Sequence, residues 1–142
     1  MTSDLGPTSA ANVKRPLWVN ALLAFTAFMA FVYTPWDFFW KPVATDQEVW
    51  LGFVLTGWAA KATEPIHGAI YAALAYGLWK MRPWMRFWGT VYIAQMAVAM
   101  VVWNLLDPRG HVVFALVSGI VFAWLARAYW RAGYIFESMR PT

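Results

Sequence analysis

Cysteine is absent from the chain. That excludes disulfides, thiolate nucleophiles, cysteine-ligated zinc and iron–sulfur clusters, and it leaves the redox compartment unreadable. Charge is scarce too: Asp, Glu, Lys and Arg make up 13% of the residues, against roughly a quarter in soluble domains. The sequence has no internal repeat and no low-complexity segment. No small-residue cleavage site closely follows the first apolar run, so that run is expected to be a retained span and not a signal peptide.

Apolar residues fill the space instead. They are 61% of 142 residues, with 11 Trp, the composition of an integral membrane protein of one domain. The net charge of +4 is no sign of nucleic acid, because the basic residues fall where membrane topology needs them. A span takes roughly 20 mostly apolar residues. Four runs are expected to cross: Leu17 to Trp40, Glu64 to Lys80, Trp84 to Leu106, and His111 to Trp130. Between the first two, Val43 to Lys61 has an apolar core, Val49 to Ala60, of only about a dozen residues. That is too short to span, so a short re-entrant or interfacial helix is expected there. The fold class is thus all-α, a four-transmembrane-helix bundle over residues 17–132. Residues 1–16 read as a flexible cytoplasmic tail and 133–142 as a second one.

Orientation follows from counting charges. Lys14, Arg15, Lys80, Arg82, Arg86, Arg127, Arg131 and Arg140 fall on one side, and Lys41, Lys61 and Arg109 on the other. The positive-inside rule places both termini in the cytoplasm, as a multi-pass topology of four spans requires. The acids are skewed the other way: Asp37, Asp46, Glu48, Glu64 and Asp107 are outside, Asp4 and Glu137 inside.

Alternate crossings then bring Asp37, Glu64, His67, Asn104, Asp107 and His111 to one level at the outer face. Thr63 reads as the N-cap of the second span, with Pro65 in its first turn, where a missing N–H costs nothing. Glu64 and His67 share a helix face, as do His67 and Tyr71. Thr26, Tyr33 and Asp37 line up on the first span, and Asn104 and Asp107 on the third. His111, Ala115 and Ser118 form a stripe on the fourth. Gln95 lies mid-depth, where a polar group is costly unless paired or facing a cavity. Each has a plainer explanation. Acids near helix ends can be solvated, Gln95 can bond between helices, and most Trp residues fit interface belts.

These residues suit capture of an apolar small molecule, with acid–base chemistry by Glu64, His67 and Asp37. Tyr33, Tyr71, Gln95, Trp103, Asn104, Asp107 and His111 would complete the binding site. No cofactor and no metal site is expected. A first alternative is a small accessory subunit, as a homodimer or within a larger membrane complex. A second is a haem-binding electron-transfer subunit, with His67 and His111 as the two imidazole ligands.

The layout resembles the emopamil-binding-protein (EXPERA) superfamily of sterol isomerases and sterol-binding receptors. The matching pieces are Trp36-Asp37, Glu64 with His67, the basic turn Lys80-Met81-Arg82-Pro83, and Val91 to Gln95 running on to Asn104-Leu105-Leu106-Asp107. They cover about residues 20 to 130. The resemblance implies that Asp37 and Glu64 line a cavity for amines and sterol- or isoprenoid-like molecules. The isomerising members carry a third-span acid, for which this chain offers only Asp107.

Overall fold

The computed structural model describes residues 15–138. The tail segments 1–14 and 139–142, with Lys14 and Arg140, lie outside the described residues. The first helix runs from Leu17 to Trp40 in three parts. These are α1 (Leu17–Phe28), a π-helical turn (Met29–Tyr33) and α2 (Thr34–Trp40). The cause of the π turn is local. Pro35 has no N–H to donate and its ring crowds the carbonyl one turn back. The widened turn relieves that crowding, and the Thr34 hydroxyl donates to the Met29 carbonyl at 2.8 Å.

The segment after α2 is not the expected re-entrant or interfacial helix. A single 3₁₀ turn (Val43–Thr45) leads into an antiparallel hairpin of β1 (Gln47–Trp50) and β2 (Phe53–Thr56). Its register pairs Gln47 with Thr56, Glu48 with Leu55, Val49 with Val54 and Trp50 with Phe53. The physical reason is in the residues. Val49, Trp50, Phe53, Val54 and Thr56 are β-branched or aromatic and favour strands. Leu51 and Gly52 take φ of 51° and 93°, both positive, as a type I′ two-residue turn needs. Gly52 also lies against Ala99 and Val102, where a Cβ would collide. The hairpin tip is therefore pressed onto the third long helix.

The next helix, α3 (Trp58–Trp79), begins at Trp58 and not at Glu64. Thr63 is therefore interior and not an N-cap; its hydroxyl donates to the Ala60 carbonyl at 2.8 Å. Pro65 likewise sits inside the helix, where it deprives the Lys61 carbonyl of its usual partner. The basic turn leads to α4 (Met85–Leu106). The Asp107–Gly110 turn leads to α5 (Val112–Ala132), and α6 (Ile135–Ser138) follows.

Three helical stretches are long and apolar enough to cross a membrane: Leu17–Trp40, Met85–Leu106 and Val112–Ser138. Over their most apolar stretches only 22%, 22% and 17% of residues are buried, so most residues there are at least partly accessible. The remaining long helix, α3, has 22 residues but carries Lys61, Glu64 and His67 in its first half.

Two helix pairs result. α1 packs along α3, α4 packs along α5, and α3 touches α4 only sparsely. At the end away from the hairpin the pairs meet around Val19, Leu74, Leu78, Met85, Tyr129 and Phe136. Phe136 is wholly buried, so the start of the segment read as a C-terminal tail folds back into this core. At the hairpin end the pairs diverge, and β1 and β2 bridge the gap.

Candidate functional site

The gap at the hairpin end is a cavity of about 480 Å³, within the range of small-molecule pockets. Four elements line it. The first helix supplies Met29, Tyr33, Thr34 and Asp37, and β1 supplies Gln47, Glu48 and Val49. Glu64, His67 and Tyr71 come from α3, and Tyr92, Gln95, Met96, Ala99, Met100 and Trp103 from α4. The π turn matters here. An extra residue in the turn shifts the helix phase, so Met29, Tyr33, Thr34 and Asp37 share one wall. The same shift removes Thr26 from that wall, and its hydroxyl is spent on the Leu22 carbonyl at 2.9 Å.

One end of the cavity is ionic. Asp37, Asp46 and Glu64 are each about 1% exposed and Lys61 is 5% exposed. Charges buried this deeply persist only when matched. Lys41 Nζ lies 3.0 Å from Asp37 Oδ1 and 2.8 Å from Asp46 Oδ1. Lys61 Nζ lies 3.2 Å from Asp46 Oδ2 and 3.3 Å from Glu64 Oε1, and it also donates to the Asp37 backbone carbonyl. Asp46 thus sits between two ammoniums. Burial alone would raise its carboxyl, but Lys41, then Glu64 and Lys61, more than offset that and hold it below the usual carboxylate range. Burial likewise opposes the charge on Lys41, yet Asp46 and Asp37 lift its ammonium above the ordinary lysine value. The buried Glu64 carboxyl is itself shared between Lys61 and a side-chain hydrogen bond with Asp46.

His67 is held from two directions by one strand. Glu48 and Trp50 are two apart, so they share a strand face. Glu48 Oε2 lies 2.9 Å from His67 Nδ1, and the Trp50 ring stacks on the imidazole at 4.1 Å and 5°. A carboxylate only accepts, so Nδ1 carries the proton and Nε2 is left for other work. Beyond His67 the lining turns aromatic. Tyr71 lies 6.5 Å from His67 and 5.9 Å from Tyr92, ring to ring.

Seven expected residues therefore meet at one cavity: Asp37, Glu64, His67, Tyr33, Tyr71, Gln95 and Trp103. Asn104, Asp107 and His111 are not among its lining residues. Asn104 is a buried tie, with Nδ2 donating to the Met100 carbonyl at 2.8 Å and Oδ1 accepting from the His111 N–H at 3.5 Å. Asp107 is committed to Arg109 through two side-chain bonds of 2.8 Å, and this pair holds its carboxyl down at about 2. The His111 side chain is exposed, with its ring edge-on to Phe114. The two imidazoles do not share a cavity.

Asp46, Glu48, Trp50, Lys41 and Lys61 were not foreseen as site residues. The missed signal was the pattern from Gln47 to Thr56, whose strand propensity brackets a Leu-Gly turn. Among the described residues, Asp37, Glu48 and Glu64 can each offer an oxygen within 4.8 Å of the others. No family model, curated protein or solved structure matches this chain.

Proposed function

We propose that the protein is a four-span membrane protein, with both termini cytoplasmic, whose cavity binds an apolar small molecule bearing one polar group. Three apolar helices of spanning length support the membrane assignment. With α3 as the fourth span, the charge asymmetry of the sequence puts the hairpin end outside. One observation carries the binding site: residues from four separate elements enclose a space whose lining combines carboxylates and an imidazole with aromatic rings and thioethers. A sterol- or isoprenoid-like molecule matches that polarity, with its hydroxyl or amine toward Asp37 and Glu64 and its hydrocarbon toward Met96, Met100 and Trp103. The meeting of Asp37 and Glu64 at one cavity is what the resemblance to the emopamil-binding-protein superfamily calls for. Glu64 and His67, three residues apart on α3 and both in the lining, would be the pair that gives a proton to one carbon of a bound alkene and takes one from another, which is isomerisation.

The test is binding of a long-chain alkylamine to the detergent-purified chain, read by tryptophan fluorescence. Saturable binding is expected, weakened about ten- to a hundredfold in Glu64→Gln, the cost of losing one charged hydrogen bond. Unchanged affinity removes Glu64 from the site. A second role, as an accessory subunit, is favoured by α5, which packs on α4 and leaves Phe114, Leu116, Ile120 and Trp124 exposed. It requires a stoichiometric partner on gentle purification and tolerance of alanine at Glu64 and His67.

A further inference from the structure

A second cavity lies between α4 and α5. Its volume is about 500 Å³, and α4, Arg109 of the following turn and α5 line it. Met100 and Trp103 line this cavity and the first one alike, so these two side chains form the partition between them. Phe114, Val117, Val121 and Phe122 recur along one face of α5 at helical spacing. That stretch runs about 12 Å along the helix axis. Phe114, Val117 and Val121 are exposed, so the cavity opens outward as a groove. Its polar groups are already engaged. Asn104 bonds the Met100 carbonyl and the His111 N–H, Ser118 donates to the Phe114 carbonyl, and Arg109 is paired with Asp107. What the groove offers a ligand is therefore mainly apolar surface, whereas the first cavity offers carboxylates and an imidazole.

We propose that the groove between α4 and α5 is a tail site, continuous with the first cavity past Met100 and Trp103, and that the ligand is a linear long-chain molecule of the alkyl or polyprenyl kind. This rests on the reading of the first cavity as the seat of the ligand's polar group. Met100 suits a partition that yields, because its unbranched thioether side chain adapts to what packs against it. A flexible chain can turn past two side chains of one helix; a rigid fused-ring body cannot. Hydrocarbon that outgrows the first cavity then meets more apolar wall along Val117 and Val121.

The experiment measures binding of alkylamines, from octylamine to octadecylamine, to the full chain in detergent by isothermal titration calorimetry. Wild type is compared with Val117→Trp, Val121→Trp and Leu116→Trp. Val117 and Val121 line the groove; Leu116 is also exposed but is not among its lining residues. Comparing each variant with wild type at each chain length cancels partition into the micelle. Octylamine is expected to bind all four proteins alike. Octadecylamine is expected to bind Val117→Trp and Val121→Trp about ten- to a hundredfold more weakly, the scale of an overpacked contact, and Leu116→Trp as it binds wild type. A diazirine at the tail end of octadecylamine is expected to label α5 between Phe114 and Phe122 in the wild type. Excess unlabelled octadecylamine removes that signal, and it needs no variant to fold. Loss independent of chain length, or labelling confined to the first cavity, overturns the tail site and leaves the first cavity standing as a binding site. Failure of octylamine to bind folded wild type saturably overturns that cavity and the tail site with it. A phospholipid that stays in the groove through purification and is not displaced by octadecylamine also overturns the proposal.

Discussion

At the far end of the bundle, Val19, Leu78, Met85 and Phe136 are each buried to within 2% exposure and meet as hydrocarbon and aromatic surface. At the hairpin end, Asp37, Asp46 and Glu64 are buried as deeply and meet through charge. The far end is closed: Trp18 lies edge-on to Tyr129 and Phe136 at 5.7 and 6.0 Å, and the Tyr129 hydroxyl donates to the Met85 carbonyl at 3.1 Å. The hairpin end encloses a cavity. Apolar packing is non-directional and fills space, so it can seal an end. Ion pairs need fixed distances and leave lone pairs facing whatever is not protein. Apolar packing therefore closes the far end, and charge pairing frames the cavity at the hairpin end, where the proposed ligand would sit.

The sharpest way to break this contrast is to truncate one residue at each end. Phe136→Ala is expected to cost about 3–5 kcal/mol, as large-to-small changes at buried aromatics do. Chemical denaturation in micelles measures it, and no second substitution at the hairpin end should recover the loss. Lys61→Met is expected to cost about 3 kcal/mol or more, because it leaves buried Glu64 without a cation and Asp46 with Lys41 alone. Its signature is rescue. Adding Glu64→Gln removes one stranded charge and should restore about 1–2 kcal/mol, a coupling of the size found within charge networks. If Phe136→Ala is the variant that rescues, or Lys61→Met the one that does not, the two ends do not differ as described.

A smaller loss tests how the hairpin is held. Gly52→Ala puts a Cβ at a φ of 93° and against Val102. A cost of about 1–3 kcal/mol is expected from the backbone alone. Because the tip then lifts from α4, alkylamine binding should weaken with it, while the far end keeps its near-ultraviolet circular dichroism.

What could be seen in the sequence follows the same division. The long apolar helices are legible because period and length alone announce them, and Leu17–Trp40 has the boundaries the residues suggest. Asp37, Glu64 and His67 meet because α2 packs along the first half of α3 at the hairpin end. The hairpin was hidden because Val49 to Ala60 is a short apolar run, and such runs do not separate strand from helix by composition. Missing it hid Glu48 and Trp50 as well, the two residues that grip His67. The early start of α3 was hidden by Thr63 and Pro65, which together imitate a helix N-terminus. Tertiary burial of Lys61 and Glu64 overrode that local signal. The placement of Asp107 was misjudged for a simpler reason: equal depth does not mean facing inward, and Arg109, two residues on, claims the carboxylate first.

The smallest expected effect is the most discriminating. Asp46 and Asp107 both have carboxyls held below the ordinary value, so the two share a sign. Each contributes stability above the ordinary aspartate value of 3.8, and each loses it as pH falls through its lowered native value. They differ in surroundings. Asp46 is buried between two lysines, whereas Asp107 pairs with an exposed arginine in a turn. Exposed pairs are worth little and are screened within about 8–10 Å at physiological salt. Asp107→Asn is therefore expected to lower the melting temperature slightly, only at low salt and only above about pH 4, and to leave alkylamine binding untouched. Asp46→Asn is expected to lower it substantially, with little dependence on salt, because ions do not reach a group that is 1% exposed. Equal losses from the two variants would mean that burial at the hairpin end does not set the strength of its charges. The division between a closing end and a binding end would then lose its physical basis.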